Sequence, residues 1–272
     1  MCKKTWLMLA SGLVVLCGGG VVAAWSMGWF DTGVHTVSMG ETATSESVAG
    51  SLTEALSLAT TAQAKLNQMP GYRCVYLRDE FIGKDLQKNS LILTVLHEPF
   101  SVMMEWVEPK SKEGRKAMYV TGKNDGKMRV KIGFLKLSLD LQESISQKES
   151  RHTLVEAGMK PLMDRFVKSW DEESKAGETN ARYSDVNLTP EVSGKKYAYS
   201  CRCVETDHPA SAKSKYPFHR VKVYFDKTTG LPVRMEGYEW PGDGQKEGLL
   251  VEQYSYFDVK PTPTPTLGQF EL

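Results

Sequence analysis

The chain has 272 residues, 41% hydrophobic and 25% charged, which is ordinary globular usage and enough apolar material for a core. Lysine and arginine number 34 against 33 aspartates and glutamates, a formal charge of +1. That balance excludes a broad nucleic-acid-binding surface, which needs clustered basic charge.

Lys3 and Lys4 precede an almost unbroken apolar run from Trp6 to Trp25, with small residues at Val22-Ala23-Ala24. A basic start, an apolar run and small residues together have the layout of a secretory signal. The run also has the length needed to cross a bilayer. Two readings of residues 1–25 therefore stay open, a cleaved signal peptide and a membrane anchor through residues 6–25. In both, the lysines place everything after Trp25 outside the cytoplasm, in the cell envelope. Leu16 is bulky where a small residue normally precedes a lipidated cysteine, which argues against Cys17 as a lipid-attachment site. Residues 26–50, with Thr, Ser, Gly and Glu prominent from residue 31, carry no apolar period and read as a flexible tether.

Residues 51–259 read as one β-rich exported domain. Ser51 and Glu54 have the spacing of a capping box, and Leu52, Leu56, Ala59, Ala62 and Leu66 recur at helical spacing. A helix over 51–68 is expected, stopped by Pro70-Gly71. The period then changes to two. Strands are predicted over 72–81 and 90–98, followed by the cleanest alternation in the chain, with Phe100, Val102, Met104 and Trp106 on one face. Short strands follow over 116–121, 127–132 and 135–140, with turns such as Asn124-Asp125-Gly126 between them. Pro161 suits a first helical turn, and Leu162, Met163, Phe166, Val167 and Trp170 make one stripe of a second helix over 161–174. Such a stripe is core packing, so Trp170 receives no cofactor role. Strands return over 197–205, 218–226, 233–240 and 249–259, and Asn187-Leu188-Thr189, followed by Pro190, reads as a turn. Arg234, Glu236, Glu239 and Glu252 fit cross-strand ion pairs on a solvent face. Pro261, Pro263 and Pro265 make residues 260–272 an extended, mobile tail.

No catalytic motif is present: no G-x-S-x-G elbow, H-E-x-x-H, P-loop or G-x-G-x-x-G. His35, His97, His152, His208 and His219 lack metal-ligand spacing, and nothing completes a tetrahedral set around Cys203 and His208. Neither a metal nor a cofactor is expected. In an oxidising compartment one disulfide is expected, from Cys74 to either Cys201 or Cys203, with one thiol left over. Three small buried hydrophobes are the alternative.

Several strings together carry a resemblance. They are Tyr72-Arg73-Cys74-Val75-Tyr76, the run Glu98–Trp106, Gly114-Arg115 with Met118-Tyr119-Val120, Ser150-Arg151-His152, Gly230–Arg234 and Tyr238–Pro241. Over roughly residues 55–258 the chain resembles an uncharacterised bacterial family, domain of unknown function fifteen-seventy-one. More distantly it is similar to the periplasmic lipoprotein carrier superfamily of LolA and LolB. The resemblance implies an α+β fold: a curved antiparallel β-sheet, an incomplete barrel, with two helices packed on its concave side. It transfers no catalytic or binding residue. The function expected is non-enzymatic binding of a lipid or a lipoprotein acyl chain in the envelope, on the apolar face of Phe100, Val102, Met104 and Trp106. A structural or protein-interaction module is the alternative, and an envelope hydrolase comes third.

Overall fold

The computed structural model describes residues 38–141, 150–192, 194–262, 268, 270 and 271. The expected signal or anchor of residues 1–25 lies outside them. No helix of the described residues is long and apolar enough to cross a membrane.

The chain runs β1 (Ser38–Ala43), β2 (Val48–Gly50), α1 (Leu52–Asn67), then a meander of β3 (Gly71–Ile82), β4 (Asp85–Leu96), β5 (Ser101–Glu108), β6 (Lys116–Val120), β7 (Met128–Ile132) and β8 (Leu135–Leu139). Helix α2 (Met159–Ala176) crosses to a second group of strands: β9 (Asn180–Val192), β10 (Lys195–Lys196), β11 (Tyr199–Asp207), β12 (Arg220–Asp226), β13 (Pro232–Tyr238) and β14 (Leu250–Pro261). All fourteen strands form one sheet, with β14 paired to β3 where the two groups meet. Every ladder is antiparallel. The path ends on β1 and β8, which do not pair, so the sheet is open and not a closed barrel.

Both helices lie on one face of the sheet. Leu52, Ala55, Ala59, Ala62 and Leu66 of α1 and Met159, Leu162, Met163, Phe166 and Trp170 of α2 are buried in one cluster with Tyr72, Tyr76, Val95, Val102, Val204, Val223 and Tyr256. Two tyrosines pin the helix starts. Tyr183 of β9 accepts the Ala55 N–H at 2.9 Å and donates to Ser51 O, while Tyr72 of β3 accepts the Met159 N–H at 2.8 Å. Gly158 sits at φ 110° beside that hydroxyl, where a Cβ would lie 2.8 Å from Tyr72 Oη. Only glycine suits that backbone and that space.

The opposite face has its own cluster, with Leu77, Val186, Leu188, Cys201, Cys203, Tyr224, Val233 and Phe257 buried in it. Cys201 and Cys203, two residues apart on β11, share that face as strand geometry requires, whereas Cys74 belongs to the cluster beneath the helices. All three are free, buried thiols, and the expected disulfide is corrected accordingly, because the sheet itself stands between the proposed partners.

Other expectations change as well. Part of the tether is sheet: β1 and β2 both pair with β9, which itself replaces the turn read at residues 187–190. Ser51 makes no side-chain cap, and Glu54 instead pairs with Arg202 at 2.9 Å. The capping box lies at Thr153 and Glu156, on the short 3-10 turn before α2. Strand β14 continues to Pro261, and Phe270 is buried against Leu96, Met118 and Val120, so the tail is fastened to the sheet.

Candidate functional site

Strand parity carries charge onto the helix-covered face. In β3, Arg78 and Glu80 continue the side of Tyr72, Cys74 and Tyr76; in β14, Glu252 shares the side of Tyr254 and Tyr256. Glu80 and Glu252 are direct cross-strand partners, and each is only 1% exposed. Two carboxylates in that position repel, and burial adds a desolvation cost, so they persist only with strong compensation.

The compensation comes largely from the segment 150–156. Ser150 donates to Glu80 at 3.1 Å, and Tyr254 also donates its hydroxyl proton to Glu80. Arg78 Nε lies 3.6 Å from the other Glu80 oxygen. Glu252 Oε2 accepts from Arg151 Nε at 2.9 Å and lies 3.1 Å from His152 Nε2. The second ring nitrogen of His152 faces Glu156 at 3.4 Å, and Glu156 in turn accepts from the Thr153 N–H and hydroxyl. Burial alone would raise the Glu252 carboxyl, but the hydrogen bond and charge of His152, with Arg151, hold it below its ordinary value. Burial would lower His152, and Glu252 reverses that, leaving the imidazole above its ordinary value. Both ring nitrogens face carboxylates, so neither is left to activate a serine. The Ser150 hydroxyl is engaged with Glu80. Burial pushes the Cys74 thiol far up, which removes it as a nucleophile.

This polar segment separates two unfilled volumes. One, of about 170 Å³, is lined by Tyr76, Tyr254 and Tyr256, by Met104, Trp106, Ala117, Met128 and Val130 of β5–β7, and by Leu162 of α2. The other, a cleft of about 800 Å³, runs between Phe166 and Trp170 of α2, Val221 and Met235 of β12 and β13, and Pro217, Phe218 and Phe81. His152, Thr153, Glu156 and Arg165 line both. Arg165, on the exposed side of α2, has no hydrogen bond or ion pair among the described residues. Deeper in the cleft, Glu173 and His208 form a buried pair at 3.1 Å, with Nδ1 of His208 2.9 Å from the Phe218 carbonyl.

Of the four residues expected to form the binding face, Met104 and Trp106 line the smaller cavity, with Trp106 donating to Asn89 at 3.1 Å. Val102 is on the same face but wholly packed in the core, and Phe100 precedes β5, half-buried against Tyr119. Neither lines either of these two volumes. Glu236 and Glu252, expected on a solvent face, are buried, and Arg234 is buried too, bonded to Glu41 at 3.1 Å and Gln253 at 2.7 Å.

An open antiparallel sheet with two helices on one face thus holds two volumes bordered by a buried ion network, in which Arg78 Nε, Glu80 Oε2 and Glu252 Oε1 have no hydrogen-bond partner among the described residues. The chain belongs to the family described as protein of unknown function (DUF1571), which matches residues 69–271. No curated protein matches it. Solved structures similar to it include the Mycobacterium tuberculosis lipoprotein LppX, 13% identical, with 79% of this chain and 97% of that one covered at a TM-score of 0.42. An uncharacterised conserved protein from Thermus thermophilus is 7% identical over 80% of this chain and 94% of its own, with a TM-score of 0.43. A LolA superfamily protein from Nitrosomonas europaea is 10% identical over 77% and 94%, with a TM-score of 0.32.

Proposed function

We propose that this protein binds an acyl chain, as a lipid or as part of a lipid-modified partner, in the cell envelope and without catalysing a reaction on it. The observation that carries this reading is the unfilled space between α2 and the sheet. A cleft of about 800 Å³ beside an apolar cavity of about 170 Å³ falls in the size range of small-ligand sites, roughly 300–1,000 Å³. The walls are mainly apolar, as an acyl chain requires, and Arg165, where the two volumes adjoin, makes no hydrogen bond or ion pair among the described residues, although its charge acts on Glu252. A guanidinium there favours a ligand with a carboxylate or phosphate head. Both ring nitrogens of His152 face carboxylates and Ser150 is bonded to Glu80, which weighs against hydrolysis. The basic start and apolar run of residues 1–25 support the envelope location.

Titration of the purified chain with fluorescent fatty acids of increasing length tests the proposal. Saturable binding that tightens with acyl length and weakens in Arg165→Glu is expected. Absence of saturable binding at every length would overturn it.

A further inference from the structure

The hairpin of β7 and β8 ends in an exposed apolar tip. Ile132 and Leu135 are its last paired residues, with Gly133-Phe134 as the turn between them. Gly133 has φ 59°, the conformation that glycine supplies at the first position of a tight hairpin turn. Phe134 is 99% exposed, Leu135 48% and Ile132 40%. Polar residues and glycine usually fill such a turn, and a free phenyl ring there adds nothing to the hairpin's own stability. Among the described residues the other large exposed apolar side chains, Val48, Leu86 and Leu249, lie singly elsewhere and need no explanation.

Charge is arranged around this tip. Lys131 and Lys136 are direct cross-strand partners one step behind it. Lys123, Lys127 and Arg129 precede them, against Asp125 and Asp140 in the same stretch. Since β8 is an edge strand, a lysine there also discourages edge pairing, but edge protection does not account for Phe134. The same hairpin walls the smaller cavity through Ile132, Leu137 and Leu139.

We infer that the β7–β8 tip is a membrane-docking finger for an anionic bilayer. Phe134, Leu135 and Ile132 enter the boundary between headgroups and acyl chains, while Lys131 and Lys136 meet lipid phosphates. Because Ile132 belongs both to the tip and to the cavity wall, docking brings the cavity next to the lipid. The inference goes beyond lipid binding, since tip insertion is measurable whether or not the cavity is filled.

The test uses the full chain with Cys2→Ser and Cys17→Ser, leaving only buried cysteines, and with Phe134→Cys carrying an environment-sensitive NBD label. Position 134 is fully exposed, so the label disturbs no packing. Residues 6–25 can themselves hold the chain at a bilayer, so the readout is the label's surroundings and not binding. On vesicles of phosphatidylcholine with phosphatidylglycerol, NBD emission should shift to the blue and rise. With Lys131→Glu and Lys136→Glu, the ratio of inserted to free tip should fall roughly tenfold or more. A water-like label on these vesicles, or an equal shift on phosphatidylcholine alone, would overturn the inference. So would a shift that grows with protein concentration without vesicles, which would assign the tip to a second copy of the chain.

Discussion

Ala117 is the position where cavity and core can be told apart. It is buried on β6, opposite Met104 of β5 and Val130 of β7, and it lines the smaller cavity. Replacing it with leucine adds three carbons. If the space of about 170 Å³ is empty in the unliganded protein, those carbons enter it without displacing neighbours. An apolar void of about 150 Å³ is enough to hold benzene. At about 0.8 kcal/mol per buried methylene the gain is at most about 2 kcal/mol. For a domain of this size that corresponds to a melting temperature higher by roughly 4–8 °C. The same leucine removes room for a ligand, so acyl affinity should fall several-fold while stability rises. Thermal melting followed by circular dichroism, with fatty-acid titration on the same sample, measures both. If the space were filled core, the added carbons would overpack it and cost about 1–3 kcal/mol. A lower melting temperature with unchanged affinity would refute the reasoning.

The ion network gives a pH signature. His152 sits above its ordinary value in the folded chain, so its contribution is present below that ordinary value and is lost as pH rises through the raised one. The stability advantage over His152→Gln should therefore shrink as pH rises from about 6.5, the ordinary imidazole value, into the alkaline range. An advantage constant across that range would contradict the His152–Glu252 contact. Thr153→Ala removes the capping box before α2 and should cost about 1 kcal/mol in urea denaturation at neutral pH; no change would argue against that cap. Cys74, Cys201 and Cys203 should resist thiol labelling in the native chain and all react after denaturation without reductant, and fewer than three reacting would restore a disulfide.

Much of the architecture was legible from periodicity. The strands around Tyr72, Val102, Val223 and Tyr254 alternate cleanly, and the α2 stripe lies on the buried side as its spacing indicated. Strand β9 was not legible because it changes faces: Ala181 and Tyr183 point under the helices, whereas Val186 and Leu188 belong to the opposite cluster. No single period describes it, and Asn187, Thr189 and Pro190 imitate a turn. Strands β1 and β2 have largely exposed side chains, so partner hydrogen bonds define them more than any apolar pattern. The site was half legible. Met104 and Trp106 followed from alternation, but Glu252 was read as a solvent-face residue because it is charged, and Glu80 and Glu173 were not singled out. Their positions held the signal: two residues from Arg78 and Tyr254 on their strands, and three from Trp170 on the α2 stripe. A carboxylate on an apolar parity is either unpaired or part of a buried network, and pairing across the sheet is a tertiary fact.

Native mass spectrometry of the purified chain tests the central claim most directly. The expected spectrum contains, besides the bare mass, a species heavier by one acyl-bearing molecule, which organic extraction removes and added fatty acid restores. That species should diminish in Ala117→Leu. A spectrum with only the bare mass, before and after incubation with acyl ligands of every length, would contradict the account.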